Sequence, residues 1–353
     1  MPFTGHGAFA RCARLATIAG LLGMAGHPVA AQTTDAAILG VAKDSGGAPL
    51  AEVTVEARNT ATGFIARSTT NNAGRFALLQ LPLGGPYIVT ARRIGYRPSQ
   101  YRAVTLGLGD RVDVTFSLVP GVVELEQLVA TSDSLDERAS RVGANTRFDA
   151  DQLAAMPTVN RNFTDLSALA PTIGPQQSVG GGRWTATNYT IDGAQAKNML
   201  RSGENGAGPF TISLEAVQEF EVNTNVYDVS QGRTVGLEVQ AISKSGTNNL
   251  SGSAYGYFRD DAFNTVDPWT NTVLPFAQQQ YGGTFGGPLV QNKTHYFGAY
   301  ERERNPNTLN VHPSALAPQQ VNIPTNDDKY NFLIRGDHQF SNRDHLVVRG
   351  NYS

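Results

Sequence analysis

Tyr330-Asn331-Phe332-Leu333-Ile334-Arg335-Gly336-Asp337-His338-Gln339 puts Tyr330, Phe332 and Ile334 at every second position and Asn331, Leu333, Arg335, Asp337 and Gln339 between them. Successive side chains of a strand point to opposite faces, so this run has one apolar, aromatic face and one mostly polar face. Leu346, Val348 and Tyr352 alternate in the same way with His345, Arg349 and Asn351. Apolar outside, polar inside, with aromatic ends, is the pattern of a strand that crosses a membrane in a β-barrel. Ser251–Arg259, Gln280–Pro288 and Lys293–Glu301 carry related wording, which makes five candidate strands between Asn249 and Ser353. The smallest closed membrane barrels have about eight strands, so residues 249–353 are expected to be a partial outer-membrane barrel, in a chain that lacks most of the barrel.

The composition agrees with a strand-rich, exported chain. Charged residues are 16% of the sequence where roughly 25% is usual, while 37 Gly and 18 Pro call for many turns and few salt-bridged helices. With 28 Lys+Arg against 30 Asp+Glu there is no basic field to hold a phosphate polymer, so no nucleic-acid partner is expected. Arg11 and Arg14 precede an apolar stretch from Leu15 to Ala25, and Val29-Ala30-Ala31 offers a small-residue cleavage site before Gln32, which is the layout of a signal peptide over residues 1–31. The single cysteine, Cys12, falls inside it, so no disulfide framework is available. No 18-residue apolar window follows Ala31, which leaves a secreted protein or a barrel.

From Ala37 to Leu118 seven short strand-like runs are separated by Gly and Asn turns, which reads as a seven-stranded β-sandwich over residues 32–120. Gly40, Pro49-Leu50, Asn72-Ala73-Gly74-Arg75-Phe76, Tyr87 and Gly95-Tyr96 make this segment resemble the carboxypeptidase regulatory-like domain. A zinc peptidase site needs histidines and a carboxylate, and no histidine lies between Gln32 and Val290. Tyr87, Tyr96 and Tyr101 could stack on a sugar if exposed; core or corner placement is the ordinary alternative. The four histidines beyond His27, namely His295, His312, His338 and His345, all fall in the barrel segment, so no catalytic, metal or cofactor-binding set is expected.

After Pro120-Gly121 comes a linker, residues 121–145. Its run Glu124-Leu125-Glu126-Gln127-Leu128-Val129 reads either as a free-edged strand able to pair with another protein or as a linker that happens to carry valine and leucine. Residues 146–248 then mix short helices and strands: an Asp-capped helix in Phe148–Pro157, a second over Asn162–Leu169, a strand Asn188–Ile191 ending on the turn pair Asp192-Gly193, an acidic helix Leu214–Phe220 and a strand Leu237–Ser243. Gly180-Gly181-Gly182 lacks the Gly-Lys-Ser/Thr ending of a phosphate loop and is expected to be a mobile loop. Leu166, Leu169, Ile191, Val217 and Phe220 are the expected core.

Tyr189-Thr190-Ile191-Asp192-Gly193, the Leu214–Val222 junction and Lys244-Ser245-Gly246-Thr247 make this segment resemble the plug domain of TonB-dependent outer-membrane receptors, and the wording of Ser251–Arg259, Gln280–Pro288 and Lys293–Glu301 resembles the Oar-like branch of that family, where a sandwich precedes the plug. The fold expected is mainly β, with an N-terminal seven-stranded β-sandwich, a small α/β plug domain and the first strands of a transmembrane β-barrel. The resemblance implies a non-enzymatic receptor in the outer membrane, with sandwich and plug on the periplasmic side. It would take up an unidentified ligand, with outer-membrane lipid around it and the inner-membrane TonB energy-transducing complex as partner. Glu124–Val129 stand where such receptors carry their TonB box. The rival reading is a secreted or surface carbohydrate-binding or adhesion protein built on the sandwich.

Overall fold

The computed structural model of the chain describes residues 36–121, 144–156, 161, 170, 173–174, 178–179, 188–196, 212–224, 237–266, 273, 277–311, 321–342 and 344–352. All of these belong to one compact unit.

The sandwich is built from β1 (Ala36–Asp44), β2 (Thr54–Asn59), β3 (Ile65–Thr69), β4 (Arg75–Leu81), β5 (Gly84–Arg92), β6 (Ser99–Leu106) and β7 (Arg111–Leu118). Each matches one of the seven expected runs. One sheet has the order β4-β1-β7, with β1 antiparallel to β4 and parallel to β7; the other has the order β3-β2-β5-β6. In β7, Val112, Val114, Phe116 and Leu118 are buried and the residues between them exposed, the period expected of a strand with one face on a core. Ile38, Val55, Leu81 and Val89 meet them from the other strands. Gly40 lies in the middle of β1, where a Cβ would strike the Val114 carbonyl and come within 2.9 Å of the Phe76 ring, so the motif glycine is fixed by close strand packing. Tyr87 is fully buried and its hydroxyl donates to the Pro82 carbonyl at 2.7 Å, while Tyr96 and Tyr101 pack against the core from its rim. Tyr87 is thus a core residue, and the Tyr101 hydroxyl donates to the Thr115 carbonyl at 2.6 Å.

The plug begins with β8 (Ala144–Asp149) and helix α1 (Ala150–Ala155). Asp149 caps α1: its carboxylate accepts from the Gln152 N–H, and the Gln152 side chain accepts from the Asp149 N–H. The second expected helix, with Leu166 and Leu169, and the Gly180–Gly182 loop lie outside the described residues. Two-residue strands β9 (Ile173–Gly174) and β10 (Ser178–Val179) pair with each other. The main sheet adds β11 (Asn188–Ile191), β12 (Ala194–Gln195), β13 (Val217–Thr224) and β14 (Leu237–Ser243), in the order β12-β11-β14-β13-β8. Asp192 and Gly193 both have positive φ, 47° and 74°, as a tight two-residue hairpin turn demands.

The acidic helix expected over Leu214–Phe220 is a correction. Only Leu214–Ala216 form a single 3-10 turn, and the chain then runs on as β13. Phe220 and Val222 alternate with Glu219, Glu221 and Asn223, a period of two that a strand can split between an apolar and a polar face and a helix cannot. Phe220, Ile191 and Val217 are buried in the plug core together with Val222, Val239 and Ala241.

The last sheet is an antiparallel meander of β15 (Ser251–Asp260), β16 (Ala277–Val290), β17 (Thr294–Val311), β18 (Val321–Gln339) and β19 (His345–Tyr352), in sequence order and with both edges open. In β18, Tyr330, Phe332 and Ile334 are 42%, 47% and 55% exposed, whereas Asn331 and Leu333 are buried. Leu346, Val348 and Tyr352 share the outward face. The inward face packs on the plug: Phe297, Ala299 and Leu333 belong to the same apolar cluster as Phe220. The passage from plug to meander runs tight along this wall. A Cβ on Gly246 would collide with the Tyr296 carbonyl and stand 2.9 Å from that of Gly287, which accounts for the glycine of the Lys244–Thr247 motif.

Candidate functional site at the seams of plug, barrel and sandwich

Three polar seams hold the plug in place. In the lumen, β17 turns Glu301 inward by simple alternation, and it is only 3% exposed. Its Oε2 accepts from the Ser213 hydroxyl of the plug at 3.0 Å, from Tyr255 at 2.8 Å and from the Gln280 amide at 3.0 Å; its Oε1 accepts from Asn331 at 3.0 Å. Four donors around one buried carboxylate meet the requirement that burial places on a polar group. Ser213 is held for this contact at the start of the 3-10 turn, where its hydroxyl also accepts from the Glu215 N–H. Nearby, Arg161 lies over the Tyr257 ring of β15 at 3.8 Å and pairs with Glu215 at 2.8 Å.

At the mouth of the barrel the hairpin turn of the plug meets β18 and β19. Asp192 accepts from the Ser243 N–H at 2.8 Å and from its hydroxyl at 2.6 Å, and stands 3.2 Å from Arg349 and 3.9 Å from Arg335. Arg335 donates to the Ser243 carbonyl at 2.9 Å and pairs with Asp337 at 2.8 Å. Asp192 is therefore more than a turn residue: its carboxylate joins β11, β14 and the barrel wall.

The third seam joins plug to sandwich through Arg147 on the edge strand β8. Its guanidinium is 3.0 Å from Asp110 and 2.8 Å from Glu219, and it donates to the Leu108 carbonyl at 3.1 Å. The Leu108 N–H donates in turn to the Glu219 carboxylate at 3.1 Å. Burial pushes the Glu219 carboxyl up from its ordinary range, against the opposing pull of Arg147 and the Leu108 N–H. Burial works to lower the Arg147 pKa, but the hydrogen bond to Asp110 and the carboxylates of Glu219, Asp110 and Glu221 outweigh it, so the net shift is upward.

None of these groups forms a nucleophile and base pair, and among the described residues no group of His, Cys, Asp or Glu could hold a metal ion. What the seams can do is open. Each hydrogen bond given up to water costs only about 0.5–1.5 kcal/mol net, so a polar seam can part where an apolar core of the same size resists. Glu301→Gln removes the charge and one acceptor oxygen from a buried site that the Gln280 and Asn331 amides both donate to, which costs about 1–3 kcal/mol. In the detergent-solubilised full-length protein, amides of residues 212–224 are expected to exchange about 5- to 150-fold faster in this variant.

The residues expected to bind a partner, Glu124, Leu125, Glu126, Gln127, Leu128 and Val129, lie outside the described residues. Sequence reading missed Glu301, Arg335 and Arg349 as site residues, although charges on the inward face of an alternating strand were a signal for them. Nothing local marked Ser213 or Arg147, whose roles depend on which strands become neighbours.

Residues 37–119 match the family described as carboxypeptidase regulatory-like domain, and residues 242–320 match the family described as outer membrane beta barrel domain. The TonB-dependent transporter Oar of Myxococcus xanthus is 24% identical over 287 residues, covering 74% of this chain. The chain spans only 26% of the length of that relative. Among solved structures, the outer membrane transporter YddB of Escherichia coli aligns over 58% of this chain and 32% of its own, at 16% identity and a TM-score of 0.43. The siderophore receptor PirA of Acinetobacter baumannii aligns over 59% of this chain and 32% of its own, at 15% identity and a TM-score of 0.42.

Proposed function

We propose that this homologue of TonB-dependent transporters, whose place is the outer membrane, serves active uptake of a ligand through a barrel that its plug closes. The sandwich and plug face the periplasm, and the plug is moved by the inner-membrane transducer. The observation that carries this reading is the two-sidedness of β18 and its neighbours. The outward Tyr330, Phe332, Ile334, Leu346, Val348 and Tyr352 are exposed, whereas Leu333, Phe297 and Glu301 on the inward side are buried against the plug. A sheet with lipid-compatible side chains outside and a folded domain fastened inside is suited to gating. The fastening is suited to release, since Glu301 and Asp192 hold the plug by contacts that water can replace.

The gating half of this reading is tested by deleting residues 146–248 from the full-length protein and exposing the cells to an antibiotic too large for the intact outer membrane. Cells with the deletion are expected to become sensitive, while cells with the intact protein at equal abundance stay resistant. Equal resistance of both would contradict a plug-closed pore.

A further inference from the structure

We propose that the cavity enclosed by the sandwich turns, the Asp192 turn of the plug and the ends of β18 and β19 binds a small oxyanion-bearing solute, a carboxylate or a phosphate. This site is independent of the transport reading. The cavity measures about 410 Å³, within the ~300–1,000 Å³ usual for small-molecule sites. All the histidines among the described residues, His295, His338 and His345, line it, and Lys293 stands at its edge on the β16–β17 turn.

The lining carries the cationic side chains Lys293, Arg335 and Arg349 and the carboxylates Asp192 and Asp337. Its two carboxylates are already engaged, Asp192 by Ser243 and Arg349 and Asp337 by Arg335. Among the described residues Lys293 has no carboxylate partner, and neither ring nitrogen of His345, which meets the Phe64 ring edge-on at 5.9 Å, is hydrogen-bonded. Among the described residues His338 uses only Nδ1, in a hydrogen bond with the Thr294 hydroxyl at 2.8 Å. A lysine ammonium has three donors and no acceptor, and each neutral imidazole adds one N–H beside its one acceptor nitrogen, so a ligand with several acceptor oxygens can be held by Lys293 and an imidazole N–H together. A metal fits less well: no group among the described residues is placed to ligate one. A charge-assisted bond from Lys293 to a carboxylate or phosphate oxygen would anchor such a ligand.

The sandwich completes this site. The Ala61 carbonyl accepts from the Asn248 N–H at 2.8 Å and the Ile65 carbonyl from the Gln339 amide at 3.1 Å, which seats the β2–β3 turn on the barrel rim. Gly63 allows it, because a Cβ there would run into the Asn292 side chain. Phe64 and Leu83 thereby roof the cavity, and a bound anion would touch sandwich and barrel together.

Equilibrium dialysis of the full-length protein in detergent, with inorganic phosphate in one arm and citrate in the other, tests the proposal and separates the two sources of the oxyanion. Saturable binding of either is expected, weakened about tenfold or more by Lys293→Ala and by His345→Ala, as loss of one charge-assisted or directed bond implies. Arg75→Ala removes a charge from the exposed start of β4, away from the cavity, and is expected to leave binding unchanged. The proposal is overturned if neither anion binds saturably, or if Arg75→Ala weakens binding as much as Lys293→Ala.

Discussion

Phe220→Ala is expected to unfasten the plug, lowering its stability by about 3–5 kcal/mol, the usual cost of removing a fully buried phenylalanine ring. Phe220 has no exposed surface, stacks on Phe148 of the edge strand β8 at a ring separation of 6.3 Å, and shares its cluster with Leu333 and Phe297 of the barrel wall. The change therefore leaves a cavity between the sheet and the barrel as well as inside the sheet. A whole domain is stable by only about 5–15 kcal/mol, so such a loss takes much of the margin. Hydrogen exchange in the full-length protein reads it without assuming that the whole chain unfolds at once. The β13 and β14 amides are expected to exchange at least ~150-fold faster, while those of β1 and β7 in the sandwich keep their wild-type rates. Wild-type rates in β13 would mean that Phe220 carries little of the packing between plug and barrel.

How far the sequence spoke for itself varied with the range of the interactions. The strands of the sandwich and of the meander were legible because each has one face toward water or lipid and one toward protein, as in Val112–Leu118 and Tyr330–Ile334. The turn at Asp192-Gly193 and the cap at Asp149 were legible because both are local chemistry. Leu214–Phe220 misled because a Glu-rich, apolar run satisfies helical propensity. The strand prevails because Glu219 and Glu221 find Arg147 and Asn145 across the sheet, and those partners are about seventy residues away in sequence. The same limit hid the seams. Glu301 has its plug partner at Ser213, and Arg349 its partner at Asp192, so the site is made by topology and not by any motif. Gly246 stands between these cases: its motif was visible, but the close approach to Tyr296 that fixes it was not.

We propose that a transducer works the plug by pairing with Glu124–Val129, which lie in sequence between the end of β7 and the start of β8. Strand pairing of this kind draws its affinity from backbone hydrogen bonds, so shortening one side chain matters little, whereas proline deletes a backbone donor, worth about 0.5–1.5 kcal/mol net, and fixes φ. The direct measurement is the affinity of the full-length protein in detergent for the purified periplasmic domain of the transducer, taken for wild type, Leu128→Ala and Leu128→Pro. Binding by wild type, near-equal binding by Leu128→Ala and a loss of about tenfold in Leu128→Pro are predicted. Wild-type affinity in Leu128→Pro, or no binding by the wild-type protein, would contradict the account.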